Sequence, residues 1–377
     1  MKQHQKNRIG AYTGFRKYVA CFLCAALLVV GFGTAKAPSA YSDGQTWTSV
    51  NAAEPNWWES VAYGDGAWVA VAYGSSNANP NNVMRSTDDG SSWASVGLPS
   101  SLESASFMSV AYGGGAFIAV ADMSNGNKIM RSTDGGENWD GLSAGGGEYS
   151  SVAYGNEVFI AVSYSGESIR RSTDNGQTWQ AVNDFGEASN HEWWSVEYGD
   201  GVWIAVAKSG TDRIIRSTDD GQTWTAVTAP EMNRWRSVAY GDDVWVAVAD
   251  DGTNRVMRST DGGQTWSMID VVENQWRSVA YGNGVWIAVS DTGTNRVMRS
   301  TDGGHTWSYF SASEDNTWED VSYGNGTWIA VAQSGSNRVM RSVDPTVTGT
   351  EKWTSVIAAE QNLWESVAYG DGVWVGT

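Results

Sequence analysis

Residues Arg234 to Ile269 read RWRSVAYGDDVWVAVADDGTNRVMRSTDGGQTWSMI, and this stretch decides the fold. Arg234 to Tyr240 alternates in polarity and stops at Gly241-Asp242, a turn signal. Val244 to Ala249 (VWVAVA) is β-branched and aromatic-rich, the composition of a buried strand. Asp250 to Asn254 is a turn cluster, and Arg255 to Thr260 alternates again. Asp261-Gly262-Gly263 signals a hairpin, and Gln264 to Ile269 supplies a fourth strand. Helical apolar spacing is absent from the unit. The stretch predicts four short strands joined in a meander.

The same sentence recurs along the chain. S-V-A-Y-G and its variants end at Gly64, Gly113, Gly155, Gly199, Gly241, Gly282, Gly324 and Gly370. A second string, R-S-T-D-x-G-x-T-W with its variants, places tryptophans at Trp47, Trp93, Trp139, Trp179, Trp224, Trp266, Trp307 and Trp353. Their separations are 46, 46, 40, 45, 42, 41 and 46 residues, the size of a four-stranded propeller blade. Complete units start near Trp57, Phe107, Tyr149, Trp193, Trp235, Trp276 and Trp318, which makes seven. Upstream lies a lone last strand, Gln45 to Val50, and downstream a first and second strand, Leu363 to Val375. The expected fold is therefore an all-β propeller of eight antiparallel blades, the eighth split between the two ends of the chain, with Ala37 to Ser42 as its third strand. Seven blades plus a flap is the alternative.

Residues 1–37 have the order of a secretory leader. Lys2, Lys6, Arg8, Arg16 and Lys17 precede an apolar run from Tyr18 to Phe32, and small residues follow. An uncleaved signal anchor is the other reading of the same pattern, although the run is shorter than the roughly 20 residues that a spanning helix needs. Both cysteines, Cys21 and Cys24, fall inside the run, where their spacing lacks the context of a redox motif. The propeller, residues 38–377, is expected to be extracytoplasmic, monomeric and held by its core without disulfides. Six of the chain's 24 basic residues lie in the leader, which leaves 18 against 42 acidic ones, a net of −24. That balance argues against nucleic acid and against anionic membrane surfaces as partners.

The second string resembles the Asp-box, or BNR repeat, of the form S-x-D-x-G-x-T-W. Good copies are centred on Asp88, Asp134, Asp174, Asp219, Asp261 and Asp302 and end at Trp93, Trp139, Trp179, Trp224, Trp266 and Trp307, with a degraded copy at Ser342/Asp344. The resemblance implies a propeller of the kind found in sialidases, xyloglucan-type glycoside hydrolases, sortilin-like receptors and the photosystem II stability/assembly factor. It does not choose among those functions. One carboxylate repeated around a ring reads as a local brace for each hairpin, the glycine supplying a conformation closed to other residues and the tryptophan a wedge into the core. Calcium at these turns is the sharper reading, but D-G-G and D-D-G lack a spaced ligand set.

Catalysis needs exceptions to the repeat. The arginines that a sialidase would cluster, Arg85, Arg131, Arg171, Arg216, Arg258, Arg299 and Arg341, instead stand one residue before every box serine. A glycosidase needs two carboxylates in a defined pair. The irregular ones (Glu103, Glu148, Glu187, Glu192, Glu231, Glu273, Glu314 and Glu360) carry no distinguishing flanks. His191 and His305 lack metal-ligand spacing and read as surface residues, so neither a metal nor a cofactor is expected.

The more suggestive pattern is a ring of aromatics two residues before each first-strand serine: Trp58, Phe107, Tyr149, Trp193, Trp235, Trp276, Trp318 and Trp364. Placed at one channel mouth, with the box turns at the other face, they offer a stacking platform for a ligand; interblade packing is the bland account. Lys128, Arg213, Arg255, Arg296 and Arg338 begin third strands on the same face and suggest a cationic collar, with Arg236 and Arg277 beside two ring tryptophans. A solvated charge is the plain alternative there. Variable loops at Gly74–Asn82 and Asp184–Trp194 would frame the mouth. Near-identical copies suggest little division of labour among blades. The expectation is an exported, non-catalytic scaffold that binds a protein or glycan at the first-strand face. The alternatives are a secreted hydrolase of sialidase or xyloglucanase type and a photosystem-type assembly factor.

Overall fold

The computed structural model describes residues 52–377 apart from 54–55, 76–80, 103–104, 123–127, 166–167, 183–190, 336, 344–352 and 357–362. The leader, both cysteines, the strand Gln45–Val50 with Trp47, the Ala37–Ser42 segment, Asp344 and most of the Asp184–Trp194 loop lie outside the described residues. Seven four-stranded sheets follow one another, each with its strands hydrogen-bonded in sequence order, and a two-stranded sheet comes last. The blades take their numbers from their first strands: Asn56–Gly64, Ser106–Gly113, Tyr149–Gly155, Trp193–Gly199, Trp235–Gly241, Trp276–Gly282 and Thr317–Gly324. The eighth position holds Val367–Gly370 and Val373–Gly376.

Blade 5 shows why the repeat folds this way. Gly241 pairs with Val244 across a two-residue turn in which Asp242 and Asp243 have φ of 53° and 62°, the twist-matched hairpin geometry. The second strand, Val244–Ala249, is buried at every position, because each blade is sandwiched between two neighbours and must be apolar on both faces. The cores accordingly lie between blades: Val246, Val248 and Val256 of blade 5 pack with Trp276, Trp286 and Met298 of blade 6.

Closure depends on one contact repeated around the ring. The tyrosine of each S-V-A-Y-G string lies flat against the glycine that ends the first strand of the preceding blade. A Cβ built on Gly64, Gly113, Gly155, Gly199, Gly241, Gly282 or Gly324 would meet the next blade's tyrosine ring at 2.0–2.2 Å. The eighth member of the set crosses the seam, where a Cβ on Gly370 would meet Tyr63 Cγ at 2.6 Å. Ala368 and Val375 share a core with Trp58, Val61 and Trp68 of blade 1, while Val367 and Trp374 pack on Ile329 and Val331 of blade 7. The Val367 amide also donates to Asp320 of blade 7 at 3.0 Å, and the Tyr63 hydroxyl to Asp371 at 3.2 Å. The C-terminal strand pair therefore fills the eighth position as a wedge between blades 7 and 1, as a split eighth blade requires.

Candidate functional site

The box serves as a brace. In blade 5 the Ser259 hydroxyl donates to Asp261 Oδ1 at 2.7 Å, the Thr265 amide donates to the same oxygen at 2.9 Å, and the Thr265 hydroxyl donates to Oδ2 at 2.6 Å. Gly263, at φ 78°, donates its amide to Ser259 Oγ, and the Trp266 indole donates to the Gly263 carbonyl at 3.2 Å. The carboxylate bonds recur at Asp174, Asp219 and Asp302, at Asp88 with Ser92 in the threonine position, and at Asp134 with Asn138 there. Trp93, Trp139, Trp179, Trp224, Trp266 and Trp307 all pack into interblade clusters. The preceding arginine ties neighbouring blades together: Arg216 Nε donates to the Gly262 carbonyl of the next box at 2.5 Å, and Arg85 does the same to Gly135. Among the described residues, no group of three or more His, Cys, Asp and Glu is placed to hold a metal.

The aromatic ring stands at the mouth but does not face it. Phe107, Tyr149, Trp193, Trp235, Trp276 and Trp318 are 0% exposed and Trp58 is 7% exposed. All of these belong to interblade clusters, and Trp364 packs against the blade 7–8 core. Their rings are covered by the preceding blade, so the packing account describes them and a ligand in the channel would not touch their faces.

The arginines of the expected collar are also occupied. Arg213, Arg255, Arg296 and Arg338 each donate Nε to the carbonyl three residues earlier, on Gly210, Gly252, Gly293 and Gly335. Lys128 is buried and donates to the carbonyls of Gly146 and Gly147. These cations brace loops.

His191, expected at the surface, is buried at 2% exposure. It stacks on Trp193 at 4.8 Å, and its Nε2 accepts the Asp212 amide at 3.2 Å. Asn233, Asn274 and Asn316 stand at the equivalent position in other blades, each binding a loop carbonyl, so His191 is a variant of a structural clasp. Glu231 and Glu314 lock loops through Asn254 and Asn337; Glu103, Glu187 and Glu360 lie outside the described residues.

What does line the mouth is the residue one step further along. In blade 5 Trp235 pairs with Ala249 and Ser237 with Val248, so Arg236 is the extra residue of a β-bulge. The bulge repeats at Glu59, Met108, Ser150, Trp194, Arg277 and Glu319, and Glu365 holds the corresponding place in blade 8. A bulge re-aims a side chain out of the sheet. Here it turns a variable column of the repeat inward, beside residues at or next to the ends of the second strands: Tyr73, Asp122, Tyr164, Lys208, Asp250, Asp291 and Gln333.

Around this doubled ring charge is segregated. Over blades 4 to 6, Lys208 lies above the Trp194 ring with Nζ 2.6 Å from its centre, and the Arg236 guanidinium is 5.3 Å from the same ring. Arg236 pairs with Asp250, and Arg277 pairs with Asp291 while reaching Glu319 at 3.6 Å. Over blades 7, 8 and 1 stand the carboxylates Glu319, Glu365 and Glu59. Burial, then Glu365 and Glu319, push the Glu59 carboxyl up to about 8. Burial raises Glu319 to about 7 despite Arg277, and raises Glu365 despite a hydrogen bond from Gln333. The carboxylates of blades 1, 7 and 8 thus feel one another's charge.

The exposed large apolar side chains gather on this face as well. Trp57, Tyr73, Met232, Val272 and Leu363 are the only such residues among those described, and all lie at first-strand entries or second-strand ends. Apolar side chains collected on one face mark an interaction surface more than scattered ones do.

The BNR/Asp-box repeat model matches residues 170–181 and 257–268, so the chain is a β-propeller that contains Asp-box repeats. Among curated proteins none matches this sequence. Solved structures resemble it in fold. The computationally designed Ika8 protein superposes with a TM-score of 0.63 at 12% identity, covering 88% of this chain and 99% of the other. YCF48 from Cyanidioschyzon merolae gives 0.55 at 16%, covering 78% and 96%, and YCF48 bound to D1 peptide gives 0.55 at 16%, covering 76% and 91%. Virginiamycin B lyase from Staphylococcus aureus, in a catalytically inactive form with quinupristin, gives 0.58 at 16%, covering 74% and 92%.

Proposed function

We propose that this protein is an extracytoplasmic, non-catalytic propeller that holds a segment of a protein partner across its first-strand mouth. One observation carries the reading. In a chain of near-identical blades, the residues that enter the first strand, form its bulge and follow the second strand differ from blade to blade, and they share the face where the exposed apolar side chains collect. A repeated scaffold with one individualised rim suits recognition of an irregular ligand such as a peptide. YCF48, a propeller of similar fold, binds a peptide of D1, which supports the same use of this architecture here. A client-holding assembly role is the form of the reading that this likeness favours. Glycan binding and hydrolysis are the competitors.

An array of immobilised peptides and glycans, probed with the full chain, tests the reading. Binding to peptides that is lost in Trp57→Ser and Arg277→Ala but kept in the box-face variant Gln264→Ala is the expected result. Retention by glycans alone, or turnover of a fluorogenic sialoside that Glu59→Gln abolishes, would contradict it.

A further inference from the structure

Lys208 is unlike the other cations of the mouth. Arg236 and Arg277 each lie on an aspartate, whereas the Lys208 ammonium has no hydrogen-bond acceptor among the described residues and rests on the face of Trp194. Arg236 uses Nε for Asp250, and its terminal amino groups likewise have no acceptor among the described residues. Tyr164 of blade 3 walls the other side, its ring 6.2 Å from Trp194.

We propose that the corner formed by Trp194, Lys208 and Arg236 is a subsite for a carboxylate carried on the bound segment, an aspartate or glutamate side chain. The proposal rests on the peptide-binding reading and gives it a chemistry. A half-buried ammonium has lost part of its hydration, and a carboxylate restores the missing hydrogen bonds with charge assistance. The guanidinium of Arg236 supplies a second donor, and the indole face accommodates the methylenes of the acidic side chain. The opposite arc of Glu319, Glu365 and Glu59 repels an acidic group, so the rim sets which way round the segment lies.

The groups facing Lys208 are Trp194 and Glu192 on its own blade, Arg236 and Asp250 on blade 5, and Arg277 on blade 6. Burial first, then the two arginines, lower its ammonium to about 6, against Asp250 and Glu192. The ring face beneath it also favours the cation. A bound carboxylate favours the ammonium further, so binding above pH 6 takes up a proton and weakens as pH rises.

The test uses the full chain with its lysine amines reductively ¹³C-methylated. Beyond the leader there are only Lys128, Lys208 and Lys352, and Lys208→Arg assigns the resonance of interest. The probes are acetyl-Gly-Glu-Gly-amide, its glutamine analogue, and glucuronate. The expected result is that the glutamate peptide moves the Lys208 resonance and raises its midpoint by a unit or more, while the glutamine peptide does neither. By equilibrium dialysis, Lys208→Gln then binds the glutamate peptide at least fivefold more weakly than wild type. Equal binding of the glutamate and glutamine peptides, or a silent Lys208 resonance with the glutamate peptide bound, would overturn the subsite. Glucuronate binding as tightly as the peptide would overturn its assignment to a peptide. If the array shows no peptide binding, the broader reading fails; if peptides bind without regard to acidic residues, only the subsite does.

Discussion

Gly370, in the last hairpin of the chain, lies against the ring of Tyr63, in its first described strand. The same glycine–tyrosine contact joins every other pair of neighbouring blades, so the first and last described blades meet through the contact used everywhere else. The ring is closed by repetition and needs no special clasp. Because the blades are wedges with apolar faces, an open ring would leave two such faces in water, and closure covers both.

The interblade glycines should tolerate no side chain. In Gly241→Ala the new methyl would sit 2.1 Å from the Tyr281 ring, which is itself packed in the blade 5–6 core. Overpacking of this kind costs about 2–3 kcal/mol, read as a lower urea midpoint at unchanged slope. Gly97→Ala, with nothing within 4 Å of the added carbon, should stay within about 0.5 kcal/mol of wild type.

The mouth tryptophans should behave as core. Trp235→Ala removes a fully buried indole from the blade 4–5 cluster and should cost about 3–5 kcal/mol, lowering the melting temperature. Arg236→Ala, one residue on, should alter partner binding far more than stability.

Stability should fall at both ends of the pH range, for opposite reasons. Hydrogen bonds from the Ser92 and Ser86 hydroxyls hold Asp88 down at about 2, and Asp261 and Asp302 reach about 2 although burial opposes it. Carboxyls lowered in the fold stabilise it above their unfolded values near 3.8, and that contribution disappears as pH falls toward 2. Glu59 and Glu319 act the other way. Their folded values of about 8 and about 7 lie above the ordinary 4.5, so the fold binds more protons than the unfolded chain between those limits. Their contribution is complete below pH 4.5 and is lost as pH rises through 7 to 8. Glu59→Gln should therefore match wild type at pH 5 and exceed it by about 1–3 kcal/mol at pH 9, measured by denaturant melts at each pH.

One box should be worth little by itself. Asp261→Ala leaves the Thr265 amide and hydroxyl to water at an exposed turn, a loss of about 1 kcal/mol by chemical denaturation.

The repeat made the architecture legible, because strand order, turn positions and the box brace depend on local residues that recur in every blade. The position of the aromatic ring at a mouth was legible too. Its orientation was not, since whether Trp235 faces the channel or the preceding blade depends on a one-residue bulge that leaves no pattern within a single copy. Comparing copies shows the signal. At the column after the aromatic the chain reads Glu59, Met108, Ser150, Trp194, Arg236, Arg277, Glu319 and Glu365, while the aromatic directly before it and, but for Asp320, the serine directly after it recur in every blade. Repetition reports what every blade needs in order to fold, and departure from it reports what individual blades do. His191 escaped notice for a related reason: it replaces an asparagine clasp whose partner is a loop backbone, invisible in side-chain patterns.

The seam is the claim on which the rest stands, and a double-mutant cycle between Gly370 and Tyr63 tests it most directly. Gly370→Ala alone should destabilise by about 1–3 kcal/mol because the methyl strikes the tyrosine ring. In a Tyr63→Ala background the clash has no partner, and the same substitution should cost almost nothing, a coupling of about 1 kcal/mol or more. Costs that add within about 0.3–0.5 kcal/mol would mean that the two residues do not touch and that the ring is not closed there.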